Sequence, residues 1–230
     1  FKEGDLVTLN GTRGYVYEGE LGMIDATENP RFAQFMKIAN SFRKMGVRAN
    51  ADTPDDAKNA LSFGAEGIGL FRTEHMFYGK ESEEPLFHLR KMIMSGTVEE
   101  RRAALEDLLP YVKKDIKATL EVMNGRPVTI RLIDPPLHEF VPNRTEEQSR
   151  LANSLGISMD EFKKRADSLH ETNPMMGHRG VRLGVTYPEI TEMQVRAIFE
   201  ATAELLKDGK KAIPEIMVPV VGMVNELKDQ

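Results

Sequence analysis

The chain has 230 residues, of which 40% are hydrophobic and 29% charged, and its net charge at pH 7 is −5. This composition is that of a globular protein with a sizeable core. The acidic balance argues against a nucleic-acid partner. The chain contains no cysteine, which excludes disulfides, thiolate metal sites and a cysteine nucleophile, and is typical of a reducing compartment. No apolar run reaches the roughly 18 residues of a membrane span, so we expect a cytoplasmic protein without a membrane partner.

The first 45 residues predict a small β-hairpin followed by one helix. Asn10-Gly11 separates two strand-like runs within residues 5–19, and Asn-Gly is the strongest short-range hairpin signal. Between Arg31 and Met45, apolar residues recur every three or four positions, which predicts an amphipathic helix. We expect this helix to connect two domains.

Strand and helix signals alternate along the rest of the chain. Strands are predicted at residues 47–51, 68–71, 127–133, 181–185 and 214–221, with 181–185 as the weakest candidate. Helix-start signals are found at Thr53, Thr97, Thr145, Ser158 and Pro188, and a further helix begins near Asn225. This alternation predicts a parallel sheet with right-handed crossovers.

These segments make about five β/α units over residues 46–230, and therefore an α/β fold. An eight-fold β/α barrel takes about 250 residues, so the prediction is an incomplete (β/α)8 TIM-type barrel, preceded by the hairpin and the linker helix. An open, doubly wound sheet is the alternative, because strand order cannot be read from one sequence. The barrel is favoured because the most unusual loops follow strands, and barrel active sites are built on that face.

Three arginines lie just past or inside short strand-like runs: Arg72, Arg131 and Arg179. A guanidinium is permanently charged and presents forked donors, so several that converge make a site for phosphate and carboxylate oxygens. Arg131 alternates with Thr129 and Ile133, which turns it inward in a closed barrel. The sequence therefore predicts one anion site built from three segments.

Each arginine also has an ordinary structural interpretation. Arg72 could form a surface ion pair with Glu74 or Glu66. Arg131 could lie on the solvated face of an edge strand, and Arg179 could be a solvated loop residue. The residue pattern alone leaves these alternatives open.

No other catalytic or metal-binding pattern is found in the sequence. The five histidines lack the spacing of a zinc protease, and there is no Walker loop, serine elbow or dinucleotide fingerprint. Two methionine pairs, at 92 and 94 and at 175 and 176, are interpreted as packing residues rather than ligands. The prolines within 134–142 predict a stiff loop above the proposed site.

Four segments, in order, resemble the PEP-utilising enzyme family and, among its members, the pyruvate, phosphate dikinases. They are Gly67–Phe77, Arg131–Phe140, Asn173–Arg182 and Pro214–Pro219. The Asp-Pro-Pro-Leu-His-Glu-Phe sequence within the second segment distinguishes this group from phosphoenolpyruvate (PEP) synthase and from enzyme I of the phosphotransferase system. The resemblance covers nearly the whole chain.

The resemblance implies a phosphotransferase that interconverts ATP, phosphate and pyruvate with AMP, diphosphate and PEP through a phosphohistidine. It implies that residues 1–25 are the tail of the swivelling phosphohistidine domain. It also implies that residues 26–45 are the linker helix and that residues 46–230 are the first part of the PEP/pyruvate-binding barrel. PEP or pyruvate and the swivelling domain of the parent protein are the partners it implies.

Carried over by motif, Arg72, Arg131 and Arg179 bind the phosphate and carboxylate of PEP. The phosphohistidine, the ligands of a Mg²⁺ cofactor and the catalytic cysteine are expected outside Phe1–Gln230. We therefore expect no complete catalytic set and no metal ligands in this chain, and feeble PEP binding or none by the chain alone. Its first residue has the character of a cut inside a longer polypeptide.

A partial barrel leaves strand edges and apolar inner surface exposed, which predicts a homo-oligomer. Two alternative functions stay open at this point. One is an open-sheet module for anion binding or subunit contact, without catalysis. The other is a related phosphotransferase of the PEP synthase or enzyme I type.

Overall fold

The computed structural model describes residues 1–24, 26–79 and 82–230 of the chain. They form two units, Phe1–Gly46 and Val47–Gln230, each with its own internal contacts. Within these described ranges, no helix combines the length and the apolar character that a bilayer crossing requires.

The first unit contains the hairpin and the helix that the sequence predicts. β1 (Val7–Asn10) and β2 (Tyr15–Glu18) pair antiparallel across a four-residue loop. α1 (Pro30–Phe42) follows, with no buried residue along its length. The predicted domain limit at residue 25 lies outside the described residues, and the limit at residue 45 stays a prediction.

The second unit is an α/β fold around a parallel sheet. In the described part of the chain this sheet has four strands, β3 (Ala49–Asn50), β4 (Ile68–Arg72), β5 (Pro127–Arg131) and β6 (Ile213–Met217). Their spatial order follows the sequence, and every pairing is parallel. A doubly wound sheet reverses its strand order at a switch point, whereas sequential order is that of a barrel. The predicted partial TIM-type barrel is confirmed, and it is not closed.

The helices of this unit begin where the sequence supplies capping residues. Thr53, Thr97 and Ser158 each accept a hydrogen bond from the backbone N–H three residues later, which satisfies an otherwise unpaired donor of the first turn. The helices are α2 (Pro54–Ser62), α3 (Glu83–Met94), α4 (Val98–Val122), α5 (Thr145–Leu155), α6 (Met159–Ser168), α7 (Val181–Thr186), α8 (Pro188–Lys207) and α9 (Val224–Asp229).

The strand predicted at Val181–Val185 is wrong, because these residues lie in α7. The N–H of Val181 donates to the carbonyl of Pro219 (2.9 Å). The hydrogen bonds that follow along the chain are local to α7 instead of pairing with a neighbouring strand. The N–H groups of Leu183 and Gly184 both donate to the carbonyl of Gly180. Tertiary context thus overrides the β-propensity of the valines, and the sheet has one strand fewer than predicted among the described residues.

The core lies on the side of the sheet that carries the helices. Buried strand residues such as Phe71 and Ile130 belong to one cluster with the apolar faces of α3, α4 and α8. Met92 and Met94 of α3 are part of this cluster, so their interpretation as packing residues is confirmed. Packing on one face only leaves the other sheet face for polar side chains.

A polar cluster spans that other face of the sheet. Arg48 donates to both carboxylate oxygens of Glu215 (2.5 and 3.1 Å) and to the hydroxyl of Thr129 (3.2 Å). It passes over β4 at Gly69, where an added Cβ would lie 3.2 Å from the Cβ of Arg48. A glycine is therefore the residue that lets an arginine beside β3 reach β6.

Candidate functional site

The arginines predicted from the sequence lie at one edge of the sheet. Arg72 is the last residue of β4 and Arg131 the last residue of β5, and the two are paired in register. Arg179, from the loop before α7, reaches the same edge through Asp134, three residues beyond Arg131. The structure therefore brings the three segments together at the carboxyl ends of the strands.

Asp134 joins two of these arginines. Its Oδ2 atom lies 2.9 Å from Nη1 of Arg131 and 2.7 Å from Nη2 of Arg179. Its Oδ1 atom accepts a second hydrogen bond from Nε of Arg179 (3.2 Å). Asp134 is only 6% exposed, so one buried carboxylate sets the spacing of two guanidinium groups.

Arg131 is held from its other side by Glu74. Its Nη2 atom is paired with Oε1 of Glu74, a residue that is only 3% exposed. Oε2 of Glu74 and Nε of Arg131 are buried and have no hydrogen-bond partner among the described residues. An unpaired buried polar atom costs about 1–3 kcal/mol, and a functional site is one place where such a cost occurs.

Arg72 is fixed by Asp52. The backbone N–H of Arg72 donates to Oδ1 of Asp52 (2.8 Å), and its Nε lies within 3.2 Å of both carboxylate oxygens. Burial by itself would raise the pKa of Asp52, but the hydrogen bonds from Arg72 and the electrostatic attraction of His75 and Arg72 together outweigh burial and lower that pKa. Nδ1 of His75 lies 3.2 Å from the same carboxylate. Arg72 therefore keeps both its charge and its orientation.

Acidic and basic side chains alternate along this edge, which we call the arginine edge: Asp52, Arg72, Glu74, Arg131, Asp134 and Arg179. Three formal positive charges meet three negative ones, so these six side chains together carry no net charge. The carboxylates orient the guanidinium groups.

Gly180 makes the position of Arg179 possible. It has φ +55 and ψ −132, a conformation that is essentially restricted to glycine. An added Cβ would lie 2.9 Å from the carbonyl oxygen of Pro219. Its N–H donates to the carbonyl of Asp134 (3.1 Å). The backbone beside Arg179 is thereby tied to the residue that holds its side chain.

Gln194 of α8 supports the two loops that follow β4 and β5. Its Oε1 accepts from the N–H of Ile133 (3.1 Å), and its Nε2 donates to the hydroxyl of Thr73 (3.0 Å). Thr73 directly follows Arg72, and Ile133 lies two residues beyond Arg131. One buried amide therefore links the backbone after β5 to a side chain that directly follows β4.

The proline-containing loop after β5 packs against the core. Leu137 and Phe140 are buried within a 3-10 turn, and the ring of Phe140 meets that of Phe77 edge to face at 6.2 Å. Nε of Arg90 donates to the carbonyl of Phe140 (2.8 Å). These contacts hold the loop at the side of Asp134.

The structure tests the surface-pair interpretation of Arg72 and the edge-strand interpretation of Arg131. Arg72 does form an ion pair, but with Asp52, and Glu74 is bound to Arg131 instead. Arg131 is not on an edge strand, because β5 lies between β4 and β6. Its side chain and that of Thr129 share the face opposite the buried Val128 and Ile130, as the alternation predicts. Ile133, the third residue predicted for that face, lies beyond β5 and belongs to the buried core instead.

Sequence reasoning missed Asp52 and Gln194. Asp52 lies two residues past β3, so the strand-end rule that selected the arginines could have found it. Gln194 is a polar residue in the buried face of α8, and a polar residue among apolar ones can be recognised in the sequence.

Met175 and Met176 are each 72% exposed, so their interpretation as packing residues is wrong. They lie in a surface loop, unlike the methionines of α3.

Comparison of the sequence with known proteins identifies a family for this chain. A family model described as PEP-utilising enzyme, PEP-binding domain, matches residues 26–230. The chain belongs to the PEP-utilising enzyme family. Its match to the PEP-binding domain of that family includes every residue of the arginine edge.

Curated relatives of the chain are pyruvate, phosphate dikinases. The chain is 50% identical to the protein of Clostridium symbiosum over 229 residues, 99% of the chain and 26% of that protein. It is 48% identical to the protein of Rhizobium meliloti over 98% of the chain and 25% of that protein. It is 49% identical to the chloroplastic protein of Flaveria trinervia over 100% of the chain and 24% of that protein. The chain thus spans about a quarter of the length of these relatives.

Proposed function

We propose that the chain is part of a pyruvate, phosphate dikinase and supplies the arginines of its PEP/pyruvate site. The full enzyme would interconvert ATP, phosphate and pyruvate with AMP, diphosphate and PEP through a phosphohistidine. The observation that carries this proposal is the convergence of Arg131 and Arg179 on Asp134 at the carboxyl edge of a parallel sheet. The names of the curated relatives support it.

The chemistry of the arginine edge suits a small molecule with two anionic groups. PEP carries a phosphate and a carboxylate, and guanidinium donors match the oxygens of both. Phosphoryl transfer depends mainly on positioning and on positive charge near the transferring oxygens. Arg72, Arg131 and Arg179 would provide that charge, and their paired carboxylates would hold them in place before the ligand arrives.

The expected partners follow from the same proposal. Residues 1–25 would belong to the swivelling phosphohistidine domain, residues 26–45 would form the linker, and residues 46–230 the PEP/pyruvate-binding domain. The swivelling domain would deliver the phosphoryl group to pyruvate. A cytoplasmic location and a homo-oligomer stay predictions.

Magnesium is the cofactor that the proposal implies, and the residues of this chain do not fit it. No group of three or more histidine, aspartate or glutamate side chains in the described ranges could hold a metal ion. The acids Asp52, Glu74 and Asp134 are each bound to an arginine. We assign no magnesium ligand to them and derive no step through the metal.

A titration of the ¹⁵N-labelled chain with PEP, followed by NMR, tests the proposal. We expect weak binding with a dissociation constant of about 1 mM, a binding free energy of about −4 kcal/mol. Arg131→Ala should weaken binding by about tenfold or more. Arg126→Ala is the matched control, because Arg126 is an exposed arginine that precedes the same strand; it should bind PEP as the parent does.

Separate titrations with inorganic phosphate and with pyruvate distinguish the alternatives. Tighter binding of PEP than of either, lost in Arg131→Ala, supports the proposal. Equal binding of phosphate and PEP would favour a general anion-binding module. Unchanged binding in Arg131→Ala would favour a subunit-contact module. A phosphotransferase with another acceptor is disfavoured by the loop Asp134–Phe140, and pyruvate-dependent turnover by the chain alone would contradict the expected incomplete catalytic set.

A further inference from the structure

Methionine is the sulfur-containing residue of this chain, which has 13 methionines and no cysteine. Met175 and Met176 are adjacent and equally exposed, at 72% each. An exposed thioether is open to oxidation by peroxides, and reductases reverse the reaction. With no thiol present, methionine is where peroxide chemistry on sulfur occurs in this chain.

Met175 differs from its neighbour because its sulfur contacts the arginine edge. Nε and Nη2 of Arg179 are bound to Asp134, whereas Nη1 lies 3.6 Å from Sδ of Met175. A thioether is only a weak acceptor. Nη1 is therefore the Arg179 donor that is held least firmly, and the one most readily given to a ligand anion.

We propose that Met175 is a site of reversible oxidation that controls anion binding by Arg179, an inference that rests on the proposed function. The sulfur lone pair attacks one oxygen of hydrogen peroxide, an S–O bond forms and the O–O bond breaks. The sulfur is oxidised by two electrons, and the peroxide is reduced to water. The product is a methionine sulfoxide beside Nη1 of Arg179.

The sulfoxide would compete with the ligand for this donor. Its oxygen is a polar acceptor where the thioether is a weak one, and a hydrogen bond from a charged donor is stronger than a neutral one. Arg179 would then have Nε and Nη2 on Asp134 and Nη1 on the sulfoxide. We expect PEP affinity to fall by about five- to tenfold, the effect of one charge-assisted hydrogen bond.

Met176 is a matched control in the same loop. Met176 is as exposed as Met175, but its contact with an arginine is through the backbone: Nη1 of Arg182 donates to the carbonyl of Met176 (2.9 Å). Among the described residues its sulfur accepts no hydrogen bond from a guanidinium group. Oxidation of Met176 should therefore leave Arg179 and PEP affinity unchanged.

The experiment oxidises the ¹⁵N-labelled chain with limiting hydrogen peroxide and quantifies each sulfoxide by peptide mass spectrometry. Two properties are then measured in the parent, Met175→Leu and Met176→Leu: PEP affinity and the side-chain nitrogen signals of Arg179. We expect oxidation to shift these signals and weaken binding in the parent and in Met176→Leu, but not in Met175→Leu. Methionine sulfoxide reductase should restore the parent.

Three results would overturn the proposal: no oxidation of Met175, Arg179 signals that do not move when Met175 is oxidised, or equal changes in Met175→Leu. If Arg131→Ala binds PEP as the reduced parent does, the proposed function fails. The Arg179 signals still report, in that case, whether the sulfoxide forms its contact with the guanidinium. Failure of one proposal is thus distinguishable from failure of the other.

Discussion

Ion pairs at the arginine edge and ion pairs between α4 and α8 have similar lengths but different surroundings. Lys113 and Lys117 of α4 lie 2.8–3.0 Å from Glu200 and Glu204 of α8, all with partly exposed side chains. At the arginine edge, Asp134 has comparable distances to two arginines but is buried. Distance alone does not separate the two groups.

The difference teaches that burial decides what an ion pair does. Hydrogen bonds from Lys117 and Lys113 lower the pKa of Glu204, yet exposed pairs contribute little to stability because water screens them. Removing one partner of a buried pair leaves an uncompensated charge, which is far more costly. Loss of a partner at the arginine edge is therefore costly, whereas the pairs that Lys113 and Lys117 form with α8 are surface features.

The largest expected effect is that of Asp134→Asn. Two poorly exposed guanidinium groups would lose their shared carboxylate, so the free energy of unfolding should fall by about 3–4 kcal/mol. Urea denaturation followed by circular dichroism measures it. Asp55→Asn is the control, since Asp55 pairs with Lys58 at the surface and should behave as the parent. Equal urea midpoints for the Asp134 and Asp55 variants would refute the contrast.

Glu189→Gln sharpens the comparison, because it tests burial within the α4–α8 interface itself. Oε1 of Glu189 lies 3.1 Å from Nη1 of Arg101, both residues are buried, and the Arg101 guanidinium stacks 4.2 Å from the Tyr187 ring centroid. We expect a loss of about 2–3 kcal/mol in the free energy of unfolding, measured by urea denaturation.

The control for that variant is Glu192→Gln. Glu192 pairs with Arg102 across the same two helices at 3.0 Å, but both side chains are more than half exposed. This variant should unfold at the urea concentration of the parent. If both glutamine variants lose equal stability, burial is not the deciding factor.

Asp52→Asn tests the edge through pH. Hydrogen bonds from Arg72 lower the pKa of Asp52 below its ordinary value of 3.8. Ionised Asp52 therefore stabilises the folded state above pH 3.8, and this stabilisation is lost as the pH falls through the lower pKa that Asp52 has in the folded state. At about pH 7 the variant should be less stable by about 1 kcal/mol. The difference should shrink as the pH falls below 3.8, and a gap independent of pH would contradict the assignment.

The smallest effect is expected for Lys117→Gln. Its partner Glu204 also contacts Lys113, and both groups are solvated, so the unfolding midpoint should match that of the parent. Thermal unfolding at low and high salt measures it. A large destabilisation that disappears at high salt would show that the outer pairs act as a network after all.

Local signals predicted much of the fold and half of the candidate site. Thr53, Thr97 and Ser158 were recognisable as helix caps because a cap depends on residues within one turn. Arg72 was recognisable because it follows an apolar run, and Arg131 because it interrupts one. Val181–Val185 was assigned wrongly because its valines favour a strand, whereas the structure forms a helix there whose first N–H is bound by Pro219, a residue distant in sequence.

The sequence by itself determined the alternation of strands and helices, the positions of Arg72 and Arg131 just past or inside strand-like runs and, through its motifs, the resemblance to the PEP-utilising family. These features depend on residues near one another in the chain. The tertiary structure alone decided the strand order and the partner of each guanidinium. Asp52, Glu74 and Asp134 reach their arginines across strands and loops, and such pairings are set by the packing of the sheet, which local periodicity does not encode.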